Sequence, residues 1–204
     1  MSESPYMPPQ PPPGLPVNPH LPIGIPRIVT VFGVMHVVFA GIGILSAAWG
    51  VFTSLAGNPF LKMQGAGPQV DAQLAMEAKL KTVTIASSGL SILIGIVMIT
   101  AGIKLLKGRK DGLAWSNKYA YLSLVAKLAN LAIAFMVVIP ATKEMMGDMM
   151  KGTPGMPASA TMMMEIFLVA GAVGGILVTA VYPVLALVML NRQGLREWFA
   201  VRGA

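Results

Sequence analysis

Few side chains within the apolar stretches of this chain could do chemistry, and three of them fall at matching distances from flanking basic residues. His36 lies nine residues beyond Arg27, Lys127 nine beyond Lys118, and Tyr182 ten before Arg192. At the rise of an α-helix these intervals place the first two roughly 14 Å and the third roughly 15 Å inward. Asn130 follows Lys127 by one helical turn, so the spacing predicts an intramembrane polar cluster of His36, Lys127, Asn130 and Tyr182. An imidazole and an amine sharing one depth in lipid could relay a proton or hold an anion. An ionisable group there costs about 2.5–3.5 kcal/mol on insertion and calls for a partner or a function.

The apolar stretches contain no Asp or Glu. Three readings of Lys127 follow. It could snorkel toward the cytoplasmic interface, or be neutral and bonded to Asn130, Tyr182 or a carbonyl, with His36 donating to a backbone carbonyl. It could pair with a carboxylate on another subunit, which makes the protein an assembly component. Or, with His36, it could line a wet transport or channel site.

A second group is the methionine cluster of residues 142–164, which holds eight of the sixteen methionines. Thioether sulfur is a soft ligand that suits Cu(I), so Met145, Met146, Met149 and Met150 form a candidate extracytoplasmic metal site. Their spacing also makes one apolar face of a helix, with Glu144, Asp148 and Lys151 opposite, as expected of a packing or partner-contacting surface. No His or Cys accompanies the sulfurs. Signatures of catalysis are missing as well: no HExxH, no phosphate-cradling glycine loop, no paired carboxylates within the apolar runs and no serine with a plausible base. One of the two histidines, His20, lies in a proline-rich tail. A non-enzymatic protein with no cofactor is expected.

The elements that must position these groups are four apolar runs. With 55% hydrophobic and 11% charged residues, the 204-residue chain has the composition of a membrane protein. Predicted spans are residues 28–55, 82–106, 117–141 and 166–190, each long enough for a hydrocarbon core of ~30 Å. The fold class is therefore an all-α polytopic integral membrane protein, a four-helix transmembrane bundle over residues 27–191. The first run is too long, and its leader too poor in basic residues, for a cleavable signal peptide.

Small residues recur at steps of three and four along the first two runs. Gly33, Ala40, Gly43, Ala47 and Gly50 share a seam with His36; Ser88, Ser91, Gly95 and Gly102 form another. Such seams let helices approach closely in lipid, where packing rather than water exclusion drives association, so the two runs are candidates to touch. Gly171 and Gly175 complete a GxxxG pattern in the fourth run, where Pro183 is expected to kink the helix. In the third run Ala120, Ser123, Lys127, Asn130 and Ala134 make a small, polar face that should point inward. Ahead of the second run, residues 69–81 read as a helical extension with a Glu77–Lys81 pair.

The segment from Lys104 to Lys118 carries five of the fifteen basic residues, with Gly108 and Gly112 to turn the backbone and Trp115 as an interfacial aromatic. Nine basic residues fall on that side and five on the other, which predicts a multi-pass protein of a plasma membrane, the inner membrane if bacterial, with both termini cytoplasmic. The net charge of +7 follows this topology and anionic headgroups rather than nucleic acid, which is not expected as a partner. Residues 1–26 hold ten of the sixteen prolines and should remain a disordered cytoplasmic tail, open to a proline-recognition domain. Residues 192–204 should form an interfacial helix bearing Leu195, Trp198 and Phe199. The expected function is a scaffold or accessory subunit of a membrane complex. The expected partners are the bilayer and another membrane protein or a second copy.

Overall fold

A computed structural model describes residues 24–63, 65, 67–151 and 158–201. Most of the proline-rich tail, residues 152–157 and Arg202 lie outside these residues, as do the side chains of Met149 and Met150. Among the described residues the chain is helical, without strands. Seven α-helices follow one another: α1 (Arg27–Ala56), α2 (Pro59–Met63), α3 (Pro68–Leu106), α4 (Gly112–Ile133), α5 (Ile139–Lys151), α6 (Ala158–Leu190) and α7 (Gln193–Val201). Four helical stretches, Arg27–Ala56, Val70–Leu106, Gly112–Gly147 and Ile166–Leu190, are long and apolar enough to cross a membrane.

Large apolar side chains line much of the outer surface, with Leu45 72% and Val178 73% exposed, while the interior mixes apolar residues such as Leu105 and Leu190 with small ones and with the polar His36, Ser88, Ser116 and Ser123. That arrangement suits a lipid surround, which rewards close backbone approach and leaves large apolar groups at no disadvantage outside.

Helix α1 lies along α3, α3 along α4, and α4 along α6. The α1–α3 contact is built on the glycines. A Cβ at Gly102 would sit 2.8 Å from the Gly33 carbonyl oxygen and 2.9 Å from His36 Cβ; one at Gly95 would meet Ile44, and one at Gly50 would meet Ser88 Oγ. Backbone therefore touches backbone at Gly33 and Gly102.

The basic segment is a tight turn. Helix α3 ends in a Schellman motif, with Arg109 N–H donating to the Lys104 carbonyl at 3.0 Å and Gly108 N–H to Leu105 at 2.9 Å. The motif needs a left-handed residue, which Gly108 supplies at φ 61°. Lys104 donates to Asp111, and Arg109 Nε stands 3.3 Å from the other carboxylate oxygen. These cations hold the Asp111 carboxyl below the ordinary aspartate value, the Lys104 hydrogen bond being the main cause. Trp115 lies between Lys104 and Lys118, their amines 4.6 and 5.1 Å from its ring centroid.

The third long helix changes pitch. Between α4 and α5, Ala134–Val138 is π-helical, and Ile139 N–H reaches back to the Ala134 carbonyl. Pro140 explains the change: its ring would crowd the carbonyl four residues earlier, and a widened turn relieves the clash. Helix α5 is tied to α3 by Lys79 Nζ and Glu144 Oε2 at 2.7 Å. Glu77 is engaged by Asn58 Nδ2 at 3.2 Å rather than serving chiefly as an i,i+4 partner of Lys81. Helix α6 runs through Pro183 as one element.

Trp198 and Phe199 do not lie on an outer surface: they are 2% and 3% exposed, packed with Val29, Phe32, Leu105, Ala186 and Leu190. Helix α7 closes the base of the bundle, each of its aromatic rings contributing about 1.5–3 kcal/mol by leaving water.

Candidate functional site

His36 is the centre of the only polar constellation fully enclosed by the described residues. Its place follows from the seam on α1: Gly102 of α3 has no side chain, so the His36 Cβ rests directly on that backbone. Its imidazole then projects toward α4 and α6 and is 0% exposed. Nδ1 stands 2.8 Å from the Phe32 carbonyl and 2.6 Å from the Tyr182 hydroxyl, and Nε2 stands 3.1 Å from Ser116 Oγ. A carbonyl can only accept, so Nδ1 carries the hydrogen and the Tyr182 oxygen shares it; Nε2 accepts from the Ser116 hydroxyl. Both ring nitrogens are satisfied by protein groups from three helices.

Aromatic rings wall the imidazole. Tyr119 lies edge-on to it with centroids 5.1 Å apart, and Tyr182 likewise at 5.5 Å. Phe39 meets Tyr182 at 4.9 Å in a T-shaped contact. Beside this cluster, Asn117 and Asn191 exchange reciprocal amide hydrogen bonds of 3.1 and 2.7 Å, joining the first turns of α4 to the end of α6.

Lys127 is not part of that constellation. His36 is level with Ser116 and Tyr119, in the first turns of α4, and Lys127 is about 12–16 Å further along the same helix. The structure thus brings His36 and Tyr182 together and sets Lys127 and Asn130 apart from them. The sequence count erred because α4 begins at Gly112, six residues before Lys118, whereas Arg27 is the first residue of α1. Lys127 and Asn130 instead line a cavity of about 160 Å³ with Tyr119, Ser123, Ser91 and Gly43. Its walls come from α1, α3 and α4, and none of its lining residues belongs to α6. No ion pair joins Lys127 to a carboxylate among the described residues.

The predicted seams fare differently. Gly33, Ala40, Gly95 and Gly102 are buried where α1 meets α3, and Ala47 is buried on the same helix. Gly50 faces Ser88, whereas Gly43 opens onto the cavity, with nothing within 4 Å of an added Cβ. Ser91 Oγ turns back to the Ser87 carbonyl at 2.8 Å. Gly171 and Gly175 meet nothing at all, and the face between them is open at Gly174 too.

At the methionine end a wider groove of about 690 Å³ is lined by Ser54, Asn58, Glu77, Lys81, Thr84 and Met145, among others. Met145 therefore faces α1 and α3. Met146 is half-buried one position on, and the side chains of Met149 and Met150 lie outside the described residues, so a shared sulfur site is not assembled by what is described.

Ser116, Tyr119, Asn117 and Asn191 were not anticipated. The first two sit at i and i+3 on a helix whose start was placed too late, and the amide pair spans α4 and α6, which periodicity within one helix cannot reveal. Comparison with protein-family models, with curated proteins and with solved structures finds no match.

Proposed function

We propose that this chain is a non-enzymatic, multi-pass integral membrane protein that acts as a scaffold or accessory subunit, joining a larger assembly through its helix faces. The basic turn and both termini lie on the cytoplasmic side of a plasma membrane, as the nine-to-five distribution of Lys and Arg favours. The proline-rich tail stays in the cytoplasm, available to a proline-recognition domain.

The observation that carries this reading is the contrast between two sets of glycines. Those on the α1–α3 contact are consumed inside the chain; Gly171, Gly174 and Gly175 on α6 form a small-residue face where an added Cβ would meet nothing within 4 Å. In lipid such a face gains little until another helix lies against it. The saturation of His36 supports the same reading, because a histidine fully enclosed and bonded at both nitrogens is a fastener between helices, not an exposed relay.

Size measurement of the protein in mild detergent, solubilised from its own membranes, tests this. The wild-type chain is expected in a particle larger than its monomer, and the double variant Gly171→Ile, Gly175→Ile as a folded, lone monomer. A wild-type chain that is itself monomeric overturns the proposal. A second reading, a small transporter or channel, draws on the cavity at Lys127 and Asn130; solute flux in proteoliposomes that vanishes in Lys127→Leu would favour it.

A further inference from the structure

Helix α6 closes only one half of the bundle. Its buried residues, Pro183, Ala186 and Leu190, all lie near the basic end, and from Ile166 to Tyr182 no described side chain is buried. The ring and hydrogen-bond contacts between α6 and α1 run through Tyr182, to Phe32, His36 and Phe39. Beyond that level α1, α3 and α4 enclose the cavity at Lys127 without a fourth wall. A lysine amine thus sits near the middle of an apolar helix, lining a cavity with Asn130 and Ser123 to which α6 contributes no residue.

We propose that this gap receives a membrane-spanning helix of a different protein, one that carries an aspartate or glutamate near its midpoint to pair with Lys127. The inference rests on the reading of the chain as an assembly subunit and names the chemistry of its partner. Charge complementarity selects that occupant. A lysine at mid-helix is costly to insert, and a carboxylate at the same depth offsets this for both chains. A second copy cannot supply the carboxylate, because residues 28–55, 82–106, 117–141 and 166–190 contain neither Asp nor Glu. Two copies meeting at this site would oppose amine to amine. Headgroup phosphates lie at the bilayer surface, roughly 15 Å from its middle. The unpaired lysine therefore excludes self-pairing at this site and favours a heteromeric contact.

The test uses the full chain in lipid bilayers with synthetic leucine–alanine helices of roughly 20 residues, carrying Asp, Asn or Leu at the midpoint, and association read by energy transfer. The Asp peptide is expected to bind wild type at least about tenfold more tightly than the Leu peptide, the lower end for close charge pairs across an interface. The preference should persist in Lys127→Arg and vanish in Lys127→Met, whose stem still fills the site. Equal binding of Asp and Leu peptides, an Asn peptide matching Asp, or a preference surviving Lys127→Met overturns the inference. Those outcomes are separable from failure of the assembly reading, because the size measurement with Gly171→Ile, Gly175→Ile does not involve Lys127.

Discussion

The hydroxyl of Tyr182 lies 2.6 Å from Nδ1 of His36, joining α6 to α1 across 146 positions of the chain. The two helices otherwise touch little, so this bond and the ring contacts around it fix how α6 stands against α1, while the α4 contact with its Asn117–Asn191 bonds holds α6 from the other side. Removing parts of it should have unequal effects. Tyr182→Phe keeps the ring and leaves Nδ1–H its bond to the Phe32 carbonyl, so it should cost about 0.6–1.7 kcal/mol, the range for interhelical hydrogen bonds in lipid. His36→Leu strands the Ser116 and Tyr182 hydroxyls together and should cost more, about 2–4 kcal/mol. Unfolding in mixed micelles measures both; a His36→Leu variant no less stable than Tyr182→Phe would show the network to be incidental.

Two glycines on neighbouring helices should respond to alanine with opposite sign. At Gly102 the new methyl meets the Gly33 carbonyl and His36 Cβ, neither of which has a flexible end to yield. A loss of about 1–3 kcal/mol is expected there from overpacking. At Gly43 the methyl enters open space. Alanine should be neutral or stabilise by up to about 1 kcal/mol through helix propensity. Thermal denaturation of the pair in one detergent checks the sign, and equal losses at both positions would contradict the contact described.

The basic turn predicts a pH dependence. Asp111 has its pKa lowered by the Lys104 hydrogen bond and then by the nearby charges of Lys104 and Arg109. A depressed folded-state pKa means that the unfolded chain binds the proton more readily. The stabilisation is therefore present above about pH 4, the ordinary aspartate range, and is lost as pH falls through the lower folded value. Acid titration of the wild-type chain should show stability falling below about pH 4, and Asp111→Asn should flatten that part of the profile. A profile unaltered by the substitution would mean the ion pair contributes nothing to folding.

Much of the architecture can be read from residue order. The four apolar runs declare themselves by length, and the seams of α1 and α3 by their alternating steps, because both depend only on the geometry of one helix. What cannot be read that way is rotation and stagger between helices. Counting from basic residues set Lys127 level with His36, yet α4 had already run six residues before Lys118, so Ser116 and Tyr119 arrived there instead. Tyr182 was offered as a partner for the Lys127 amine and instead meets His36, since nothing in one helix states which neighbour it faces. The amphipathic pattern of the tail marks it as a helix, but cannot state that Trp198 and Phe199 pack on Val29 and Phe32 of α1.

The ribosome makes α1 first and α7 after every helix that α7 covers. Leu105, Ala186 and Leu190 cover Val29 and Phe32 in part as they are made, but the cluster stays incomplete until Trp198 and Phe199 arrive to cap it. Maturation of this protein is in that sense a race at one end: the nascent base stays sticky until its own lid is delivered, and anything that loosens α7 prolongs the exposure of the earliest-made helix.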